Sequence, residues 1–145
     1  MPARLLTLLV VSACGLTLAA CSTSEDQRVR DTLKRFERAT AHRDYGTLCS
    51  SVLSREIVGR LESIGLPCEL ALRKGLGGVS GPKLEVQKVK IRGRIALAQV
   101  RSTASGERPS VDTIKLVREG KDWRIASLAG VQPPAPQRSL AGESP

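Results

Sequence analysis

Polar and apolar positions change their rhythm twice along this 145-residue chain. Leu5 to Ala20 is an apolar run interrupted only by Thr7, Ser12, Gly15 and Thr17. From Ser24 the pattern turns helical: Val29, Leu33, Phe36 and Thr40 recur every three or four residues, predicting an amphipathic helix to about His42. Ser24-Glu25-Asp26-Gln27 opens it as a capping box with acids in the first turn. Asp44-Tyr45-Gly46 breaks the pattern. A second helical region runs from Thr47 through Leu48, Val52 and Leu53, is recapped by Ser54, and continues through Ile57, Val58, Leu61 and Ile64 to Gly65. Pro67 suits the first position of a third, short helix through Leu70, Ala71 and Leu72, stopped by Gly75.

After the loop GLGGVSGP, Gly75 to Pro82, the period becomes two. KLEVQKVKI, IALAQVRS, VDTIKLV and WRIASL read as four strands. Arg92-Gly93-Arg94 and Glu119-Gly120-Lys121-Asp122 serve as hairpin turns, and Ala104 to Pro109 as a longer connection. In the first strand the apolar phase slips between Leu84/Val86 and Val89/Ile91, which predicts a bulge near Gln87-Lys88. The second strand is apolar in both phases and is therefore predicted to be central. Helices followed by an antiparallel meander define an α+β fold, with N-terminal helices packed on one face of a curved four-stranded antiparallel sheet. The tail over 131–145 is Pro-rich and predicted to be disordered. An apolar fraction of 41% fits one globular domain, over 25–130.

The apolar start changes the picture. With one cation, Arg4, ahead of a run too short to cross a ~30 Å hydrocarbon core comfortably, it reads as a secretory leader over 1–20. Its end, Leu18-Ala19-Ala20-Cys21, resembles the lipobox of bacterial lipoproteins. The resemblance implies cleavage before Cys21 and acylation of its thiol, with 21–24 as anchor and short linker. Two or three acyl chains hold a protein stably at a membrane. Ordinary secretion, or an uncleaved leader, is the alternative. Localisation is then expected at the cell membrane, lipid-anchored, on the extracytoplasmic face.

Cys14 leaves with the leader and Cys21 carries the lipid, so Cys49 and Cys68 remain for the folded part in a compartment that permits disulfides. A bridge between them is expected, stabilising by about 3 kcal/mol through its closed loop. Two buried free thiols or a redox pair are the alternatives. No C-x-x-C supports the redox reading.

Losing Arg4 leaves the mature chain at about +8, against +9 for the whole sequence. Arg28, Arg30, Lys34, Arg35, Arg38 and Arg43 fall in one segment, and Lys88, Lys90, Arg92, Arg94 and Arg101 in another. Either could meet anionic lipid, a wall polymer or an envelope protein. Nucleic acid is excluded, because aromatics are only 2% of the chain and single-strand binders stack bases on aromatic rings.

The order helix, Asp44-Tyr45, helix, cysteine pair, then strands ending in Gly120-x-x-Trp123-x-Ile125, resembles the nuclear-transport-factor-two-like, cystatin-like superfamily and especially its small bacterial lipoproteins. The resemblance spans roughly Glu25 to Leu128. It implies a cone, in which a bent sheet wraps a long helix and leaves a pocket between them. Enzymes of that superfamily, such as ketosteroid isomerase and the SnoaL-like cyclases, set acids, a histidine or a tyrosine in the pocket. No residue here matches their catalytic positions.

Other chemistry is thin. His42 is the only histidine, and with Asp44 it gives two ligands where zinc wants three or four. There is no G-x-S-x-G elbow, and GLGGVSG lacks the Lys-Ser/Thr of a phosphate loop. No cofactor, metal site or catalytic residue is expected. The candidate pocket residues are Tyr45, Trp123, Arg101 and Asp112. The expected role is a non-catalytic binding domain for a small hydrophobic or anionic ligand. An isomerase- or dehydratase-like enzyme, with Asp112 as its acid or base, and a basic-surface docking module are the alternatives.

Overall fold

The computed structural model describes residues 24–127; the leader over 1–20, Cys21, residues 22 and 23, and the tail over 131–145 lie outside the described residues. The first helix, α1 (Glu25–Ala41), starts where its cap predicts, with the Ser24 hydroxyl accepting the Gln27 N–H at 3.2 Å. Only half of the capping box forms, because the Gln27 amide turns forward to Asp31 at 2.9 Å instead of back to the cap. Val29, Thr32, Leu33, Ala39 and Thr40 are buried. The helix ends in a Schellman motif: the Arg43 and Asp44 N–H groups donate to the Thr40 and Ala39 carbonyls. Arg43 takes the left-handed position at φ 55°, where glycine is usual because a Cβ crowds the following carbonyl.

Asp44 caps the short α2 (Tyr45–Thr47), which runs directly into a π-helical turn, Leu48–Val52, closed by the Leu53 N–H on the Leu48 carbonyl at 2.8 Å. The sequence pattern had shown only a helical region there. Leu53 is extended and bridges Ile125, and the Ser54 N–H donates to the Ile125 carbonyl at 2.9 Å. The Ser54 hydroxyl then accepts the Ile57 N–H and opens α3 (Arg55–Ser63). This helix is only half-covered, and Ile64 beyond it is 71% exposed. Pro67 occupies the cap of α4 (Cys68–Leu76) rather than its first turn, and the helix passes through Gly75 to Leu76. A disulfide joins Cys49 in the π turn to Cys68 at the start of α4, with Cα atoms 6.0 Å apart. The bridge encloses α3 and ties a thin helical flank to the core.

Four strands follow, β1 (Lys83–Arg92), β2 (Ile95–Thr103), β3 (Ser110–Glu119) and β4 (Asp122–Ser127), in an open antiparallel sheet of order β1-β2-β3-β4. The fold is α+β. Gly93 and Gly120 take φ 57° and 61° in the two short hairpins, as their turns require. In β1 the register passes from Val86↔Val100 to Lys88↔Gln99, so Gln87 is the extra residue of a bulge. The bulge rephases the strand. Leu84 and Val86 before it, and Val89 and Ile91 after it, all reach the core side. In β2, Ala96, Ala98 and Val100 are buried, whereas Ile95 and Leu97 are each 44% exposed. The strand is central, as expected, but its second apolar face has no cover among the described residues.

Helix α1 lies on the inner face and reaches the β1 edge, where Arg30 donates to the Val86 carbonyl at 2.9 Å and Glu37 accepts the Leu84 N–H. At the other edge the Arg124 guanidinium donates to the Ser50 carbonyl, and the Arg55 N–H to Glu119. The β1 contacts, and the Ser54 N–H on the Ile125 carbonyl of β4, occupy backbone groups that an open sheet leaves unpaired. Between the layers, Val29, Leu33, Leu48, Leu53, Leu116, Trp123 and Ile125 form the fully buried centre.

Candidate functional site

Helix α1 meets the sheet differently at its two ends. At its start, Trp123 is 2% exposed and its indole N–H donates to Glu25 at 2.7 Å. The Thr32 hydroxyl lies 3.1 Å from both the Arg28 and Trp123 carbonyls. Its buried polar group is matched, and what remains there is a smaller hollow of about 270 Å³, lined mainly by charged and polar residues such as Arg28, Asp31, Arg35 and Asp122.

At the far end, a cleft of about 340 Å³ opens between α1, at Phe36, Glu37 and Thr40, and strands β1–β3. Leu76, Val79 and Pro82 supply one wall; Leu84, Val100 and Ile114 belong to the sheet side. Size and apolar lining suit a small organic molecule. Thr40 is only 4% exposed, yet its hydroxyl has no hydrogen-bond partner among the described residues. A buried polar group left unpaired typically costs about 1–3 kcal/mol. Thr40 lines the cleft but its hydroxyl oxygen is closed to solvent, so a ligand offsets that cost by drawing the hydroxyl round about χ1.

The rim adds a directed chain of polar groups. Ser110 donates to Asp112 Oδ2 at 2.6 Å, and Ser102 Oγ lies 2.9 Å from Ser110 Oγ. A hydroxyl has one proton to donate, so Ser102 must donate to Ser110. The chain ends on a carboxylate, and Asp112 keeps Oδ1 as an acceptor beside the cleft. Glu37, also on the wall, already holds the Leu84 N–H. Glu107, Arg108 and Lys83 complete a rim of mixed charge.

The four candidate pocket residues do not converge. Asp112 lines the cleft. Trp123 closes the opposite end of α1, for the reason given above. Tyr45 is a core residue, 8% exposed, with the Arg73 guanidinium 6.0 Å from its ring centroid. Arg101 lies on the outer face, because it alternates with inward-facing Val100 in β2. Thr40, Ser102 and Ser110 were not singled out in the sequence. Thr40 carried a weak signal as a polar residue in the apolar stripe of α1; Ser110 shares a face with Asp112 by alternation within β3, whereas strand pairing alone brings Ser102 beside them.

A larger hollow, of about 820 Å³, lies over the disulfide between α3 and α4, lined by Val58, Leu70, Glu62, Glu69 and Arg73 among others. It opens widely to solvent, and no buried unpartnered side chain faces it. His42 is exposed at the end of α1. Beside it the Asp44 carboxylate is held below the usual 3.8, first by the Thr47 backbone N–H, then by the Thr47 hydroxyl, with nearby His42 adding least. That is a cap, and the shift has a structural cause. Among the described residues, no group of three or more His, Cys, Asp or Glu is placed to hold a metal ion.

No family model, curated protein or solved structure matches this chain. The cleft has to be read from its own chemistry.

Proposed function

We propose that this chain is a lipid-anchored protein of the extracytoplasmic membrane surface whose domain binds a small, mainly apolar molecule without transforming it. The observation that carries the reading is the cleft at the Thr40 end of α1, which combines apolar walls with a buried, unpartnered hydroxyl and a carboxylate at the rim. An acceptor-only carboxylate favours a ligand whose polar end donates hydrogen bonds, a hydroxyl or an amine. It disfavours an anion. The lipobox-like Leu18-Ala19-Ala20-Cys21 supports the anchor, and helix before antiparallel meander supports the cone of the nuclear-transport-factor-two-like superfamily.

Native mass spectrometry of the mature protein, purified from its own host in mild detergent, tests this directly. The expected result is an added mass that leaves on denaturation and is reduced in both Thr40→Val and Asp112→Asn. A bare protein mass across independent preparations, together with no thermal shift on adding aliphatic alcohols or amines, would overturn it.

A further inference from the structure

The bulge at Gln87 has a second effect, on the side of the sheet that none of the described helices covers. By shifting the phase it puts Lys88, Lys90 and Arg92 outward, where they join Arg101 of β2 and Lys115 of β3. Strand register seats the exposed Leu97 directly between Lys90 and Lys115, and the exposed Ile95 beside Arg92. Lys88, Lys90, Leu97, Gln99 and Thr113 outline a shallow depression of about 270 Å³. None of the five cations pairs with a carboxylate among the described residues. The only acid in these registered rows is Glu85, opposite Arg101.

We infer that this outer sheet face docks on the surface of an anionic lipid bilayer. Exposed aliphatic groups ringed by unpaired lysines match a boundary where acyl chains meet phosphate headgroups, because long lysine stems lie along apolar surface while their ammonium groups reach the phosphates. A second copy is a poor occupant, since two such faces would oppose like charges. The chain's own path agrees. The Glu25–Trp123 and Arg28–Lys121 contacts place the start of α1 beside the β3–β4 hairpin, and Arg94 donates to the Arg118 carbonyl in the neighbouring hairpin. Ser24, where the described residues begin, therefore stands at the end of the sheet that carries Arg92 and Ile95. The inference shares the Cys21 anchor with the proposed function and is independent of what the cleft holds.

Lysine footprinting reads the face itself. The mature protein is mixed with phosphatidylcholine vesicles, with or without roughly a third phosphatidylglycerol, and its amines are acylated by a water-soluble ester before peptide mass analysis. The expected result is a several-fold loss of labelling at Lys88, Lys90 and Lys115 on anionic vesicles only, with Lys34 and Lys74 unchanged. The protection should vanish near 1 M salt, where the Debye length falls to about 3 Å. The Lys88→Glu/Lys90→Glu variant, altered only at exposed positions, should lose it at low salt. Equal labelling on both lipids overturns the inference, as does protection by a soluble acidic polymer alone or by raised protein concentration without vesicles. Failure of the anchor reading looks different: protein is stripped from the vesicles by 1 M salt, while the low-salt footprint stays.

Discussion

Thr32 and Thr40 occupy the same buried side of one helix, and their hydroxyls meet opposite fates. The first faces a wall that arrives with carbonyls in place, because Trp123 packs against it and the hairpin closes the sheet onto α1. The second faces a gap, because the long β2–β3 connection and the Gly-rich segment after α4 meet there without filling it. On the buried side of α1, the matched hydroxyl stands at one end and the unmatched one at the other.

The largest test of that division is Trp123→Ala, which should cost about 3–5 kcal/mol by chemical denaturation, since it removes the largest fully buried side chain. A cost below about 1 kcal/mol would mean that the closed end is not where the fold is held.

Reducing the Cys49–Cys68 bridge touches neither end, so it should lower stability by about 3 kcal/mol and leave cleft occupancy unchanged. Loss of ligand mass on reduction would instead couple the helical flank to the cleft.

The sharpest comparison uses one substitution at two places. Thr32→Val should destabilise by about 1–3 kcal/mol, because the Trp123 carbonyl loses its donor. Thr40→Val in the ligand-free protein should stabilise by about 1 kcal/mol, because it removes an unpartnered buried hydroxyl at nearly constant volume. Thermal unfolding of both variants reads the sign. The same sign at both sites would remove the distinction between the ends.

The smallest effect belongs to Asp44, just past the open end. Its folded carboxyl titrates below the ordinary 3.8, so its contribution to stability is present above about pH 4 and is lost as the pH falls through the folded value. NMR titration of the side-chain carboxyl should find a midpoint below 3.8. Asp44→Asn, which can still accept the Thr47 N–H, should flatten this part of the acid-unfolding curve.

Much of this architecture was legible in advance, for identifiable reasons. Ser24 and Ser54 declare helix starts because a cap is a bond between a side chain and a backbone N–H three residues on, whereas Asp44 was read only as part of a break, with the next helix expected from Thr47. The bulge was readable because one extra residue inverts a period of two, visible in Leu84, Val86, Val89 and Ile91. The π turn was not, since Leu48 to Val52 satisfies an ordinary helical pattern equally well. Arg43 gave no sign either: it adopts a glycine's conformation because the contacts on both sides over-determine the turn.

The site divides along the same line. Asp112 could be placed on the inner face by alternation alone, but Tyr45, Trp123 and Arg101 could not be sorted into core, closed end and outer surface without the packing. By itself the sequence determined the α+β order, the starts of α1 and α3, the bulge and the availability of Cys49 and Cys68 for a bridge, because each is encoded within a few neighbouring residues or by elimination. Only the tertiary structure decided that Thr40 would lack a partner, that Ser102 would arrive to extend the Ser110–Asp112 contact, and that Leu97 would sit between two lysines with no cover among the described residues. Each of those depends on which groups arrive across a gap from distant parts of the chain, and no local pattern specifies a group that fails to arrive.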